Sequence, residues 1–250
     1  MREIMNFREC RVFDYTFLDG SLDTWLQLLK QKLRNEEKAF VITANPEIIM
    51  QAERDLSYKQ IVKKTKYLVP DGVGIQWASK RFQQTIQHVI PGVELTELLL
   101  REANKNGYSL LSYGARPEVQ TKFYETVRDR YPNIRWVGHV HGFINEGEKV
   151  QLAKHCAEER PDLVLVGLGM PLQEKWIASV IDEVDKGIYI GVGGTFDVLS
   201  GEVKRAPKLF RLLKIEWVYR ISTHKRGKKK LKDIVQFVLK VLNVTKSLPK

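Results

Sequence analysis

Short apolar runs alternate along this chain with longer segments of helical period. The runs cover residues 39–43, 67–69, 108–113, 134–137, 163–168 and 188–192. Several of them close on Gly, Pro, Asp or Asn, the residues of tight strand-to-helix turns. Between them, apolar side chains recur three and four positions apart over 47–63, 92–106, 117–131, 146–159 and 172–184, which predicts helices. Strand and helix in that rhythm predict an α/β fold: a Rossmann-like, mostly parallel sheet with helices on both faces. Ligands of such sheets gather at the carboxyl ends of the strands, so the turns there are where chemistry is expected. No internal repeat or low-complexity linker breaks the pattern.

The composition shifts near residue 200. The chain of 250 residues carries 41 Lys and Arg against 30 Asp and Glu, a net charge of +11. Residues 201–250 alone hold 15 basic and 3 acidic residues, so the first 200 are close to neutral. This predicts a core over 1–200 and a basic helical C-terminal appendage over 201–250. The appendage reads as two helical pieces, 207–223 and 230–244, the second with Leu231, Ile234, Val235, Val238 and Leu242 along one face. A cationic tail on a neutral body meets something anionic: a phosphate, a nucleic acid or a membrane surface. Its last helix fits packing on its own domain as well as lying on an anionic bilayer. No aromatic residues interleave with the lysines and no nucleic-acid motif is present, so a nucleic-acid arm is a remote alternative. Cys10 and Cys156 fit no metal-ligand spacing and read as free thiols of a reducing compartment. No apolar leader or run long enough to cross a bilayer is visible, so a cytoplasmic protein is expected.

Four strand exits carry candidate chemistry. In Thr43-Ala44-Asn45-Pro46-Glu47 two polar side chains end a strand and Pro46 opens a helix; the residues alone favour helix capping over substrate contact. In Val69-Pro70-Asp71-Gly72-Val73-Gly74, Asp71 is either a turn residue or a carboxylate presented as a general base. Gly167-Leu168-Gly169-Met170-Pro171-Leu172-Gln173 and Gly191-Val192-Gly193-Gly194 would let backbone N–H groups approach a phosphate at a helix start. Both miss the dinucleotide fingerprint, having Leu172 and Phe196 where a third glycine belongs, and no acid follows at the required distance. Nicotinamide cofactors are therefore not expected. His139 and His141 lack neighbouring acids or cysteines at ligand spacing, and Asp182-Glu183-Val184-Asp185 falls before a strand, at the wrong edge of the sheet. No metal site is expected.

Together these segments resemble the bacterial WecG/TagA/CpsF glycosyltransferase family. The resemblance is carried, in order, by residues 43–47, 69–74, Pro91-Gly92-Val93-Glu94-Leu95, Gly138-His139-Val140-His141-Gly142, residues 167–176 with their Gln173-Glu174-Lys175-Trp176, and residues 191–207 with their Val203-Lys204-Arg205-Ala206-Pro207. It implies an inverting transferase that works without a cofactor or divalent metal, peripheral on the cytoplasmic face of the cell membrane. Such an enzyme moves a hexose or N-acetylhexosamine, with N-acetylmannosamine the first expectation, from a UDP-sugar to a polyprenyl-diphosphate-linked saccharide. Teichoic acid, capsule and exopolysaccharide synthesis all use such steps, and UDP-glucose or UDP-uronate are the alternative donors. The resemblance makes Asp71 the catalytic base. It places Thr43 and Gln173 in the sugar pocket, and the strand exits add Asn45, Gly169 and Gly193 as substrate-binding residues. It gives the diphosphate to basic residues of the appendage, where Arg220 matches the family and Arg205, Arg226 and Lys230 stand with it as a group. It also implies contact with an anionic membrane surface and a possible homo-oligomer. The chain departs from the pattern at Val89, where many members carry Arg, and at Gly227 and Lys230, where two further arginines are expected. Lysine supplies charge without the bidentate fork of arginine.

Overall fold

The computed structural model describes residues 7–203 and 227–246, with backbone alone for 227–230. The chain opens with an antiparallel hairpin, β1 (Arg8–Val12) and β2 (Tyr15–Asp19), paired from Arg8↔Asp19 to Val12↔Tyr15. Helix α1 (Leu22–Arg34) follows, then β3 (Lys38–Ala44), α2 (Pro46–Arg54), α3 (Leu56–Lys64), β4 (Tyr67–Pro70) and α4 (Val73–Arg81). After a loop come α5 (Gly92–Asn106), β5 (Ser109–Gly114), α6 (Pro117–Arg130), β6 (Arg135–Val140), α7 (Glu146–Glu159), β7 (Leu163–Gly167), α8 (Leu172–Val180), β8 (Gly187–Gly191) and α9 (Thr195–Leu199). The C-terminal helix α10 spans Gly227–Thr245. The main sheet has six strands in the order β4-β3-β8-β7-β5-β6. The pairs β3–β8, β8–β7, β7–β5 and β5–β6 are all parallel. All six expected strands are present, five within a residue of their predicted ends and β6 running three residues further than expected, and the α/β class stands.

The chain divides into two compact units. One holds Leu22–Ile42 and the chain from Gly92 through α9. Its inner strands β5, β7 and β8 are buried almost throughout, as a parallel sheet covered on both faces requires, while the edge strand β6 has no buried residue. On one face Leu111, Tyr113, Val164, Val166 and Tyr189 pack with Leu152 and Cys156 of α7 and with Trp176, Ile177 and Val180 of α8. The alternate residue Ser112 turns to the other face, where Gln120 of α6 donates to its hydroxyl at 2.5 Å. There Phe123 of α6 stacks on Phe196 of α9 with centroids 4.2 Å apart.

The other unit holds the hairpin, Thr43–Pro91 and α10. The predicted helix over 47–63 is here two helices. Asp55 takes extended backbone, ending α2 and capping α3 by accepting the Tyr58 N–H at 3.1 Å. Helix α10 is seated by ion pairs. Arg54 of α2 pairs with Asp233 at 2.7 Å, and Lys240 reaches Glu53 at 2.6 Å. Glu53 also takes the Tyr15 hydroxyl at 2.7 Å and Lys59 at 2.8 Å. Burial pushes its carboxyl up, and the bonds from Lys240, Lys59 and Tyr15 outweigh that and hold it low. The stripe of α10 that packs inward is Asp233, Phe237 and Val241, with Phe237 edge-on to Phe13 at 6.0 Å. That differs from the face read from sequence: Leu231 and Val235 are exposed, and so is Leu239. The helix is apolar on more than one side, so periodicity did not decide which side docks; Phe237 and the carboxylate of Asp233 did.

Two substitutions separate the stripes. Phe237→Ala removes a side chain with 1% exposure and is expected to cost about 3–5 kcal/mol. Leu239→Ala should stay within about 0.5 kcal/mol of wild type. Denaturant midpoints of the two variants check both values.

Candidate active site

Thr43 and Asn45 stand at the exit of β3, and Asp71 at the exit of β4. The Asp71 N–H donates to the Ala44 carbonyl at 3.0 Å, which ties the two turns together. Asn45 has extended backbone and its side-chain oxygen accepts the Ile48 N–H at 3.1 Å, satisfying one orphan donor at the start of α2. The capping reading of Asn45 is thus realised. Thr43 is buried just before it, and Asp71 is half-buried. A Cβ at Gly74 would lie 2.5 Å from Pro46 Cγ, so only glycine lets α4 come this close to the start of α2. The turn carrying Asp71 is thereby fixed against the turn carrying Asn45.

The loop after α4 is fixed to the same turn. The Ile90 N–H donates to the Pro70 carbonyl at 2.8 Å and the Ile86 N–H to the Ser79 hydroxyl at 2.9 Å. Asp19, at the end of β2, is buried and holds the middle of that loop. Its carboxylate accepts the N–H groups of Gln87 at 3.0 Å and His88 at 2.9 Å, meets His88 Nδ1 at 3.1 Å, and takes Arg8 at 2.6 Å. Burial pushes the Asp19 carboxyl up, but these donors outweigh it and leave the group below its ordinary value. Val89, the position departing from the family pattern, follows this anchor directly. Sequence reading missed Asp19; its trace was an isolated acid closing an apolar run, which is also what a turn residue looks like.

In the other unit the glycine turns after β7 and β8 are joined by Gln173. Its side-chain oxygen accepts the Gly169 N–H at 3.2 Å and the Gly193 N–H at 3.0 Å. These two N–H groups therefore point at a protein side chain and not into an open cradle. The Gln173 amide nitrogen donates to Glu174 at 2.7 Å. Arg205, Arg220 and Arg226 lie outside the described residues, and Lys230 belongs to α10 with its side chain outside them.

The remaining candidates are occupied by structure. His139 stacks on Tyr124 at 4.1 Å. His141 accepts the Phe143 N–H at 3.2 Å. Cys10 and Cys156 are free and buried. Burial pushes the Cys156 thiol up to about 12, so it carries no thiolate at neutral pH.

Comparison with known proteins adds the following. The model of the glycosyl transferase WecG/TagA/CpsF family matches residues 10–249. Relatives in Staphylococcus aureus strains NCTC 8325, COL and MRSA252 are named N-acetylglucosaminyldiphosphoundecaprenol N-acetyl-beta-D-mannosaminyltransferase. Each is 37% identical over 212 residues, covering 84% of this chain and 82% of the relative.

The Asp19 anchor has a pH signature. A carboxyl held below its unfolded value adds stability that is fully present above about pH 5 and is lost as pH falls through its folded value. Asp19→Asn should therefore be clearly less stable than wild type at pH 7, and the gap should narrow steadily toward pH 3. Paired denaturation curves across that range check it; a gap independent of pH would refute the ionised anchor.

Proposed function

This chain belongs to the glycosyl transferase WecG/TagA/CpsF family, and from that membership we propose that it transfers N-acetylmannosamine from a UDP-sugar to N-acetylglucosaminyl-diphospho-polyprenol in teichoic acid synthesis. The observation that carries the proposal is the match along 84% of the chain to transferases named for that sugar and that acceptor. The enzyme is a glycosyltransferase; the donor nucleotide, the acceptor and the roles of single residues are the proposed part.

In this reading Asp71 is the general base. It takes the proton of the acceptor hydroxyl while that oxygen forms its bond to the anomeric carbon, and the bond from that carbon to the UDP oxygen breaks on the opposite face. UDP leaves with the bonding electrons, so its diphosphate needs counter-charge. We assign that role to the appendage over 201–250, through Arg205, Arg220, Arg226 and Lys230, because guanidinium and ammonium groups neutralise phosphate without a metal. Thr43, fixed one peptide from the Ala44 carbonyl that anchors Asp71, is assigned to the sugar.

Among the described residues no helix is long and apolar enough to cross a membrane. A lipid-linked acceptor must nevertheless be met at a bilayer. The exposed stripe Leu231, Val235 and Leu239, within a tail of 15 basic residues, supports peripheral docking of α10 on an anionic cytoplasmic face.

Two experiments test this. Asp71→Asn should keep the fold and lower kcat by about 100-fold or more, read as UDP release from UDP-N-acetylmannosamine with a synthetic prenyl-diphosphate N-acetylglucosamine; normal turnover would remove Asp71 as base. UDP-glucose and UDP-glucuronate in the same assay test the donor. Replacing Leu231, Val235 and Leu239 together by Asp should abolish cosedimentation with phosphatidylglycerol vesicles while the melting temperature stays within a few degrees; undiminished cosedimentation would remove α10 as the docking helix.

A further inference from the structure

Gln173 and Glu174 open α8 side by side, and both side chains turn inward. Gln173 is 4% exposed and Glu174 1%, unusual depths for such residues in the first turn of a helix. The two ends of the Gln173 amide do different work. The oxygen accepts from Gly169, two residues beyond β7, and from Gly193, two residues beyond β8. The nitrogen donates to a Glu174 carboxylate oxygen at 2.7 Å.

An amide can present either end to a pair of N–H donors only at very different cost. With the oxygen toward them it bridges both turns; with the nitrogen toward them, donors face donors and the N–H groups of Gly169 and Gly193 and the Glu174 oxygen lose their partners. Glu174 disfavours the second choice, because its Oε1 accepts from the amide nitrogen at 2.7 Å and would lose that donor if the amide turned over. Gly191 makes the arrangement possible. A Cβ there would stand 2.6 Å from the Gln173 amide nitrogen and 3.0 Å from the same Glu174 oxygen, so any side chain at 191 would push the pair apart. Three residues from two elements thus form one clamp across two strand exits.

We infer that Glu174 is a positioning residue: it sets the orientation of the Gln173 amide, and Gln173 serves the reaction by holding the turns of Gly169 and Gly193 in register. The inference deepens the glycosyl-transfer reading, on which its kinetic part rests. Misplacing reacting groups by about 1 Å costs on the order of 100-fold in rate, and two unclamped glycine turns have that freedom.

A charge-preserving swap tests it. Gln173→Glu alone places two carboxylates together in a buried site. Adding Glu174→Gln restores one donor and one acceptor between positions 173 and 174, with the glycine N–H groups still facing an oxygen of residue 173. Amide hydrogen exchange at Gly169 and Gly193 needs no substrate, so it reads the clamp even if the donor or acceptor assignment fails. The single variant should exchange about 100-fold faster at both glycines and lose about 100-fold in kcat, with KM moving less; the double variant should recover both within about tenfold. Wild-type exchange in the single variant, or a double variant exchanging no more slowly than the single, would refute the clamp. Recovery of exchange without recovery of kcat would also overturn the inference, since it would place the Gln173 amide protons on the substrate. If the single variant does not fold, the comparison of the double variant with wild type decides by the same two readouts.

Discussion

A parallel sheet buried on both faces leaves its chain no option but to cross over. No residue of β5 or β8 is exposed, and β4 is buried along its whole length. Helices must cover such strands, and each connection must return the chain to the same edge before the next strand begins. Every strand exit therefore lies at the carboxyl edge, where backbone N–H and C=O groups run out of ladder partners. In one unit Thr43 and Asn45 stand at the end of β3 and Asp71 after β4; in the other Gly169 stands after β7 and Gly193 after β8. The amino ends are treated differently. Asp162 takes the Ser109 N–H and hydroxyl, both at 2.8 Å, and Lys186 at 2.9 Å, and burial of the carboxyl is more than offset by these partners. One edge is closed by ion pairs and the other is occupied by turns.

Those turns are held by hydrogen bonds that leave little slack. Asp71 is fixed by its N–H to Ala44 and by the approach of Gly74 to Pro46. The glycine turns are fixed by one amide. Both devices hold the backbone around a candidate group instead of the group itself, which suits a transferase, whose rate depends on how accurately the reacting groups are placed.

The C-terminal helix shows how charge and packing share a decision. Glu53 and Arg54, adjacent on α2, take opposite partners on α10, Lys240 and Asp233. Two ion pairs of opposite polarity, one turn-pair apart along the helix, admit one register. Phe237 beside Phe13 supplies the apolar burial between them. The result turns Leu231, Val235 and Leu239 outward, on a helix whose sequence offers apolar residues on both sides.

What the sequence by itself determined was whatever a local repeat can encode. Five sheet strands were legible because apolar runs of that length, closed by turn residues, mean strands buried on two faces; the edge strand β6, with no buried residue, was legible only in its first half. The helices over Gly92–Asn106 and Glu146–Glu159 were legible to the residue from their periodicity, and the motif order carried the family. Decisions between distant residues needed the tertiary structure. The hairpin Arg8–Asp19 escaped because its exposed charges mask a short alternation, and α1 and α4 were passed over. The break at Asp55 depended on an Asp that reads equally well inside a helix or as a cap. The docking stripe of α10 depended on partners almost 200 residues away. Gln173 was marked as a residue of the site, but the sequence could not say that its oxygen would be spent on Gly169 and Gly193 and its nitrogen on Glu174. Periodicity records how apolar and polar groups are distributed; a hydrogen bond is directional, and its partner is chosen only when the turns after β7 and β8 are brought side by side.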